Sequence, residues 1–503
     1  PRAMKRNVAI LIAVSIAVAG VSVGLTLLFA SGSPETEVRA AAEPGEAAVQ
    51  ARPGETADDL EARRRAAHAE FLDREFPLHG LVTATQLSVR AEPSAGAVVI
   101  GWLRLGGRPR LKDDRRVVEG CATGWYPLYP RGWACAGQGI EVGAEPPEAP
   151  AGEGAADRSA ALPYRYLVVR EPQVPEYHNP PSRDDQRGAQ AHAARYLELL
   201  NGGDERRAQL LREGRLPNEP RSPNGVARYL ERGFFVASNA VEVRSSRRFV
   251  RTVRGTYIKE AQLIERTGSD FQGVELTEQR SLPIAFAVRV ARPMIRRVRA
   301  DGTIDFTDDE AVEPYQRQQV LPWLRRERHG AQQMHVLEGD RFLRAWFVSV
   351  AERRDPPAGI ASDEPWVHVD LGEQTLVVYR GSTPIYATLV STGLEGHDTP
   401  AGEYTIRRKF VSDTMANLGP DAGDDAYRIE DVPWTQYFEG SFALHGAFWH
   451  SQFGLRRSHG CVNLAPRDAR YVFDHTWPEI PEGWHGVSTE RSGFRGSRVV
   501  VTE

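Results

Sequence analysis

The hydrophobic pattern is most regular near the C-terminus. Val367, Val369 and Leu371 alternate with Trp366, His368 and Asp370, Gly372 and Glu373 can turn, and residues 374–379 return. Alternation with a period of two puts every second side chain on one face, so this stretch predicts a β meander. Residues 384–391 and 404–408 extend it, with further strands at 442–445 and 497–502. Only residues 466–475 change period: Pro466 suits a first helical turn, and Ala469, Val472 and Phe473 share one face. Residues 364–503 therefore read as one mainly β domain, large enough for its own core.

Upstream the pattern is looser. Short β-like runs at 86–90, 98–105 and 125–128, punctuated by Pro93 and by Gly106 and Gly107, predict a small β-barrel-like module over residues 79–143. Residues 163–352 form a central α+β region, helical at 190–211 and extended at 248–265 and 341–350. Three segments echo one another, "RGWACAGQGIEV", "RGTYIKEAQLIE" and "GDRFLRAWFVSVAE", as closing strands of related β modules would. Pro/Ala/Glu-rich residues 144–162 and residues 353–363 read as linkers. Residues 31–78 read as a solvated tether with a short helix at 61–76. Residues 8–30 carry no charge and follow Arg2, Lys5 and Arg6. A helix there would span about 35 Å, enough to cross a bilayer, so it reads as a transmembrane signal-anchor with the rest of the chain outside the cytoplasm, the alternative being a cleaved signal peptide.

Composition narrows the picture little. A formal charge of -4 over 503 residues gives no case for nucleic-acid binding. The arginines at 244, 247, 248, 251 and 254 read as a solvated strand face. Cysteine is more informative. Cys121 and Cys135 lie close together and can pair in an oxidising compartment, the alternative being two buried thiols, whereas Cys461 stands alone.

The candidate chemistry lies around that lone thiol, in "ALHGAFWHSQFGLRRSHGCVNLAP". A thiol is a weak nucleophile until an imidazole within reach takes its proton, and His445 ends a strand sixteen positions before Cys461. Gly460 permits a tight turn in which amides face a developing oxyanion. On residue types alone, acyl transfer competes with an inert buried thiol and with a zinc site built from His445, His450, His459 and Cys461. The last matches no familiar ligand spacing.

The segment also resembles the L,D-transpeptidase (YkuD-type) signature. A His-Gly pair at His445 and Gly446 precedes Ser458, His459, Gly460, Cys461, Val462 and Asn463, and "HDTPAGEYTI" is similar to the family's turn at Thr399, Pro400, Gly402 and Tyr404. Twelve residues separate His445 from Ser458, fewer than is common in the family. The resemblance covers residues 364–503 and implies a β-sandwich with a short helix after the catalytic loop. It implies that Cys461 attacks a peptidoglycan stem peptide and expels its terminal D-amino acid. His445 would be the base, oriented by the Gly446 carbonyl, and amides of His459, Gly460 and Cys461 would hold the oxyanion. Ser458 and Asn463 would shape the loop, while Trp449 and Tyr437 are candidates for substrate contact. No metal or cofactor is implied. An amine, water or a protein could resolve the thioester, giving a cross-link, a trimmed peptide or a wall-anchored protein; a degenerate wall-binding protein is the non-enzymatic alternative. The upstream module weakly resembles bacterial Src-homology-like barrels. Residues 411–432, poor in apolar side chains, are expected to form a lid, and a fragment starting near residue 357 is expected to fold and acylate by itself.

Overall fold

The alternating pattern folds as it reads. In the computed structural model, which describes residues 52, 54–118, 120–148, 155–417 and 427–503, Pro365–Asp370 and Thr375–Arg380 form a hairpin in register Val367↔Val378. Thr383–Leu389 extends it on one side, and the final strand Arg498–Thr502 pairs in parallel with Pro365–Asp370 on the other. Gly402–Thr405 closes that sheet beyond Arg498–Thr502. The helix Pro466–Asp474 has Pro466 in its first turn and buries Ala469, Val472 and Phe473 against Trp434 and Leu444. The chain is mainly β throughout its described residues.

Helix boundaries differ where caps decide them. The first helix runs Ala57–Glu75, starting four residues before the expected position, because Thr56 caps it by accepting from the Asp59 amide. The expected helix at 190–211 is two helices, Arg183–Asn201 and Glu205–Arg212. Ser182 and Asp185 form a capping box on the first, and Gly202, Gly203 and the new cap Asp204 separate them. The hydrophobic run at 8–30 lies outside the described residues, and no helix among those described is long and apolar enough to cross a membrane.

The three echoing segments share one local structure. Each is a strand, a one-turn 3₁₀ helix and a second strand: Trp133–Cys135, Ala136–Gln138 and Ile140–Gly143; Tyr257–Lys259, Glu260–Gln262 and Leu263–Arg266; Arg341–Arg344, Ala345–Phe347 and Val348–Ala351. Cys121 and Cys135 are disulfide-bonded.

The upstream units pair and pack directly with the C-terminal segment. Val99–Leu103 pairs antiparallel with Gly486–Ser488, and Phe235–Arg244 meets Tyr427–Glu439 at Phe235↔Ile429. One hydrogen-bonded path therefore runs from Val226–Leu230 through the C-terminal segment to Trp125–Pro127. Val82, Leu87, Val89, Ile100 and Leu103 share a buried cluster with Val411, Trp434, Phe438 and Val487. Residues from the stretch 144–162, expected as a linker, take part: the Trp434 indole donates to the Ala161 carbonyl at 2.7 Å, and Arg158 donates to the carbonyl of Ile480.

A buried ionic network closes this junction. Arg104 pairs with Asp431, and Arg228 pairs with Glu176 and Glu430, joining all three parts of the chain. Burial alone would raise the Asp431 carboxyl, but the Arg104 charge and hydrogen bond, with Arg254, outweigh it and hold the group below the usual range. Asp431→Ala strands Arg104 without its partner, which is expected to lower stability by about 3–5 kcal/mol. Urea unfolding of both proteins measures this, and a shift below about 1 kcal/mol would show the network to be dispensable.

Candidate active site

Strand register brings Cys461 and His445 together. Phe442–Gly446 runs parallel to Val462–Leu464, with Leu444 opposite Val462 and His445 opposite Asn463. Cys461 then falls opposite Ala443, two positions from His445, and the two-residue period puts the Cys461 and His445 side chains on one face. Both line a cleft of about 370 Å³ together with Trp449, Tyr427, Met415 and Arg457.

The loop carrying Cys461 is clamped from three sides. The Ser458 hydroxyl donates to the Cys461 carbonyl and accepts from the Gly460 amide at 3.1 Å. The Thr399 hydroxyl donates to the Gly460 carbonyl at 2.7 Å and accepts from the Gly393 amide at 3.0 Å. Gly460 sits at φ +112, and a Cβ there would meet Phe442 Cε1 at 2.4 Å, so no other residue fits. The Gly460 amide is thus engaged by Ser458 in this structure, whereas the expectation had it facing an oxyanion.

His445 is buried, and its Nδ1 lies 3.4 Å from the Gly446 carbonyl. A carbonyl only accepts, so Nδ1 carries the proton and Nε2 keeps its lone pair. Burial, with His450 adding to it and the Gly446 hydrogen bond opposing, depresses the imidazole to about 4. Cys461 is half-buried as a residue and its thiol donates to the Ser441 carbonyl at 3.6 Å. Burial pushes this thiol up to about 11, with the Ala443 amide opposing. These shifts favour a neutral thiol beside a neutral imidazole near neutral pH, an arrangement suited to a base that accepts a proton during attack rather than to a preformed ion pair.

Three consequences are measurable. With Cys121 and Cys135 bonded, intact-mass analysis should find one alkylated cysteine, Cys461. Titration should show no thiolate ultraviolet absorbance from it near neutral pH. Activity should fall as pH drops through about 4, where His445 protonates and can no longer accept. A thiolate signal at neutral pH would instead demonstrate a preformed ion pair.

Asn463 faces His450: its Nδ2 lies 3.0 Å from His450 Nε2, while Oδ1 is buried without a partner. His450 Nδ1 already accepts from the Gln452 amide, so the neutral ring has its proton on Nε2. The Asn463 amide is therefore best turned over, with Oδ1 accepting from His450. His459 stacks edge-on to His397 at 4.7 Å. No cluster of three His, Cys, Asp or Glu side chains among the described residues is placed to hold a metal.

Trp449 lines the cleft, 5.7 Å from the His445 ring. Tyr437 is not among the lining residues: its hydroxyl is tied to Asp413 at 2.9 Å, and burial, then Asp413 and the Cys461 sulfur, raise it well above its ordinary value. Tyr427, ten residues earlier on the same strand, lines the cleft. The expected lid is largely strand, because residues 411–417 and 427–432 belong to the long hairpin of Arg408–Asn417 and Tyr427–Glu439; residues 418–426 lie outside the described residues.

Gly233 and Phe235, from the central region, also line the cleft. Phe235 packs edge-on to Phe448 at 5.3 Å and tilts against Trp449 at 6.3 Å, while Tyr166 stacks on Phe448 at 4.1 Å. Nothing in the spacing of a phenylalanine more than 200 residues upstream could have signalled this.

Comparison with known proteins finds a similarity that covers part of the chain. Residues 364–501 match YkuD, the L,D-transpeptidase catalytic domain. Two curated relatives are similar to part of the chain: L,D-transpeptidase 2 of Mycobacterium tuberculosis, 26% identical over 129 residues, and the putative L,D-transpeptidase YciB of Bacillus subtilis, 25% identical over 130. The alignments cover 22% and 23% of this chain and 31% and 61% of those proteins, so the chain spans under two thirds of either relative. Among solved structures, L,D-transpeptidase 3 of M. tuberculosis is 19% identical, with a TM-score of 0.23, over 34% of this chain and 78% of that one. An L,D-transpeptidase from Stackebrandtia nassauensis is 25% identical, with a TM-score of 0.21, over 28% and 57%.

Proposed function

We propose that this chain is a peptidoglycan L,D-transpeptidase acting in the cell envelope, with Cys461 as nucleophile and His445 as base. The observation that carries the reading is the parallel register of Phe442–Gly446 with Val462–Leu464, which sets both side chains on one face of one cleft. His445 Nε2 accepts the thiol proton as sulfur adds to the carbonyl of a stem peptide. The Cys461 amide, followed by that of His459, is the donor we assign to the oxyanion. The tetrahedral intermediate collapses to a thioester, and His445 returns the proton to the departing D-amino acid amine. An incoming amine then attacks the thioester, giving up its proton to His445; the carbon–sulfur bond breaks as the peptide bond forms, without ATP, and His445 returns the proton to the Cys461 sulfur. The Cys121–Cys135 disulfide supports an oxidising location.

Incubation with purified peptidoglycan, followed by mass spectrometry of the muropeptides, tests the reading. New cross-linked dimers are expected. Trimmed monomers alone would make the protein a carboxypeptidase, and protein-linked muropeptides would make it an anchoring enzyme. Unchanged muropeptides would sink the proposal.

A further inference from the structure

Beside the catalytic cleft three arginines from different parts of the chain converge without a carboxylate. Arg457 is on the cleft wall, directly before Ser458. Arg317 follows the central region onto the same loop: its neighbour Gln318 donates through Nε2 to the Ser451 carbonyl at 2.9 Å. Arg289 follows Val288, which packs so closely that a Cβ on Gly454 would lie 2.5 Å from Val288 Cγ1.

Their pairing is unusual for this protein. Arg456, next in sequence, is paired with Asp398, and Arg428, also on the cleft, is paired with Glu430. Among the described residues neither Arg317, Arg457 nor Arg289 has an ion pair, and Nε and Nη2 of Arg317 are buried with no hydrogen-bond acceptor. Buried guanidinium donors are ordinarily satisfied, so such a pair marks a missing anion. The electrostatics agree. Burial, then Arg457 and Arg289, depress the Arg317 guanidinium, and no acidic group acts on it. His450 is lowered to about 4 by burial and then by Arg457 and Arg317.

We propose that Arg317 and Arg457, with Arg289 at the rim, form a subsite for a carboxylate of the peptide substrate, so that the central region reads the substrate as well as supporting the fold. The guanidinium fork matches a carboxylate bidentately, and Arg457 shares the cleft with Cys461, so a peptide acylating the sulfur lies within its reach. This rests on the peptidoglycan reading for the identity of the peptide, not for the presence of the anion site.

The test is a binding measurement on full-length Cys461→Ala, which cannot react. Two probes are compared by calorimetry: a synthetic stem tetrapeptide with a free C-terminal carboxylate, and the same peptide as its carboxamide. The acid should bind at least about tenfold more tightly. Adding Arg457→Gln or Arg317→Gln should bring the two affinities to within about twofold, while Arg457→Lys keeps most of the difference. Arg457 is exposed, so its variant decides the matter even if Arg317→Gln fails to fold. Equal affinities in Cys461→Ala, no binding of either peptide, or a difference that survives Arg457→Gln would overturn the subsite. Acid discrimination without any change in muropeptides would keep the subsite and remove the transpeptidase reading; cross-linking without discrimination would do the reverse.

Discussion

A fragment beginning at residue 357 should acylate Cys461 at least tenfold more slowly than the full chain and should be markedly less stable. This reverses the expectation that the C-terminal segment works alone. Cutting there uncovers the face of Val411, Trp434, Phe438 and Val487 that Val82, Leu87, Val89, Ile100 and Leu103 now cover. Each buried aliphatic side chain is worth about 1.5–3 kcal/mol, comparable in sum with the whole stability of a domain. The cut also removes Arg104 from Asp431 and Arg228 from Glu430, leaving two buried carboxylates without those partners. Gly233 and Phe235 leave the cleft wall, and Tyr166 no longer stacks on Phe448 beside Trp449. Circular dichroism melting and time-resolved mass spectrometry with a carbapenem-type acylator measure the two effects. A fragment that melts like the full chain and acylates at its rate would show the upstream units to be passengers.

Cys461→Ala should reduce acyl transfer by at least about 10⁴-fold, since removal of a covalent nucleophile leaves only binding and oxyanion contacts. His445→Gln should cost about 10²–10⁴-fold, the usual worth of a positioned general base. The difference between the two is diagnostic. The neutral resting pair means that His445→Gln keeps a thiol that still ionises near its own high value, so its residual activity should rise with pH, whereas Cys461→Ala should stay inactive at every pH. Binding to wall sacculi should be nearly unchanged in Cys461→Ala, because that side chain is half-buried and only one thiol hydrogen bond is lost. Measurable turnover by Cys461→Ala would mean that another residue is the nucleophile.

What the sequence determined by itself is what neighbouring residues decide. Strand alternation around Val367, the helix after Pro466, and the strand–3₁₀–strand echo are local periodicities, set by side-chain direction over a few residues. The site was legible for the same reason: Ser458 to Asn463 and His445 lie within nineteen consecutive positions, and a turn that needs Gly460 and clamps its carbonyl on Thr399 leaves a written trace. Helix ends were misplaced where a cap outweighed the apolar pattern, at Thr56 and at Asp204. Tertiary structure alone decided the rest. Whether Tyr427 or Tyr437 faces the cleft depends on where the long hairpin bends and what Asp413 reaches, and both tyrosines look alike in sequence. That the Gly460 amide serves Ser458 is a matter of hydrogen-bond geometry. The joining of upstream units to the catalytic segment rests on the edge strands Val99–Leu103 and Phe235–Arg244 finding partners hundreds of residues away. Backbone pairing is nearly indifferent to side-chain identity, so an edge strand that will be covered and one that stays free carry the same pattern until the partner edge is in place.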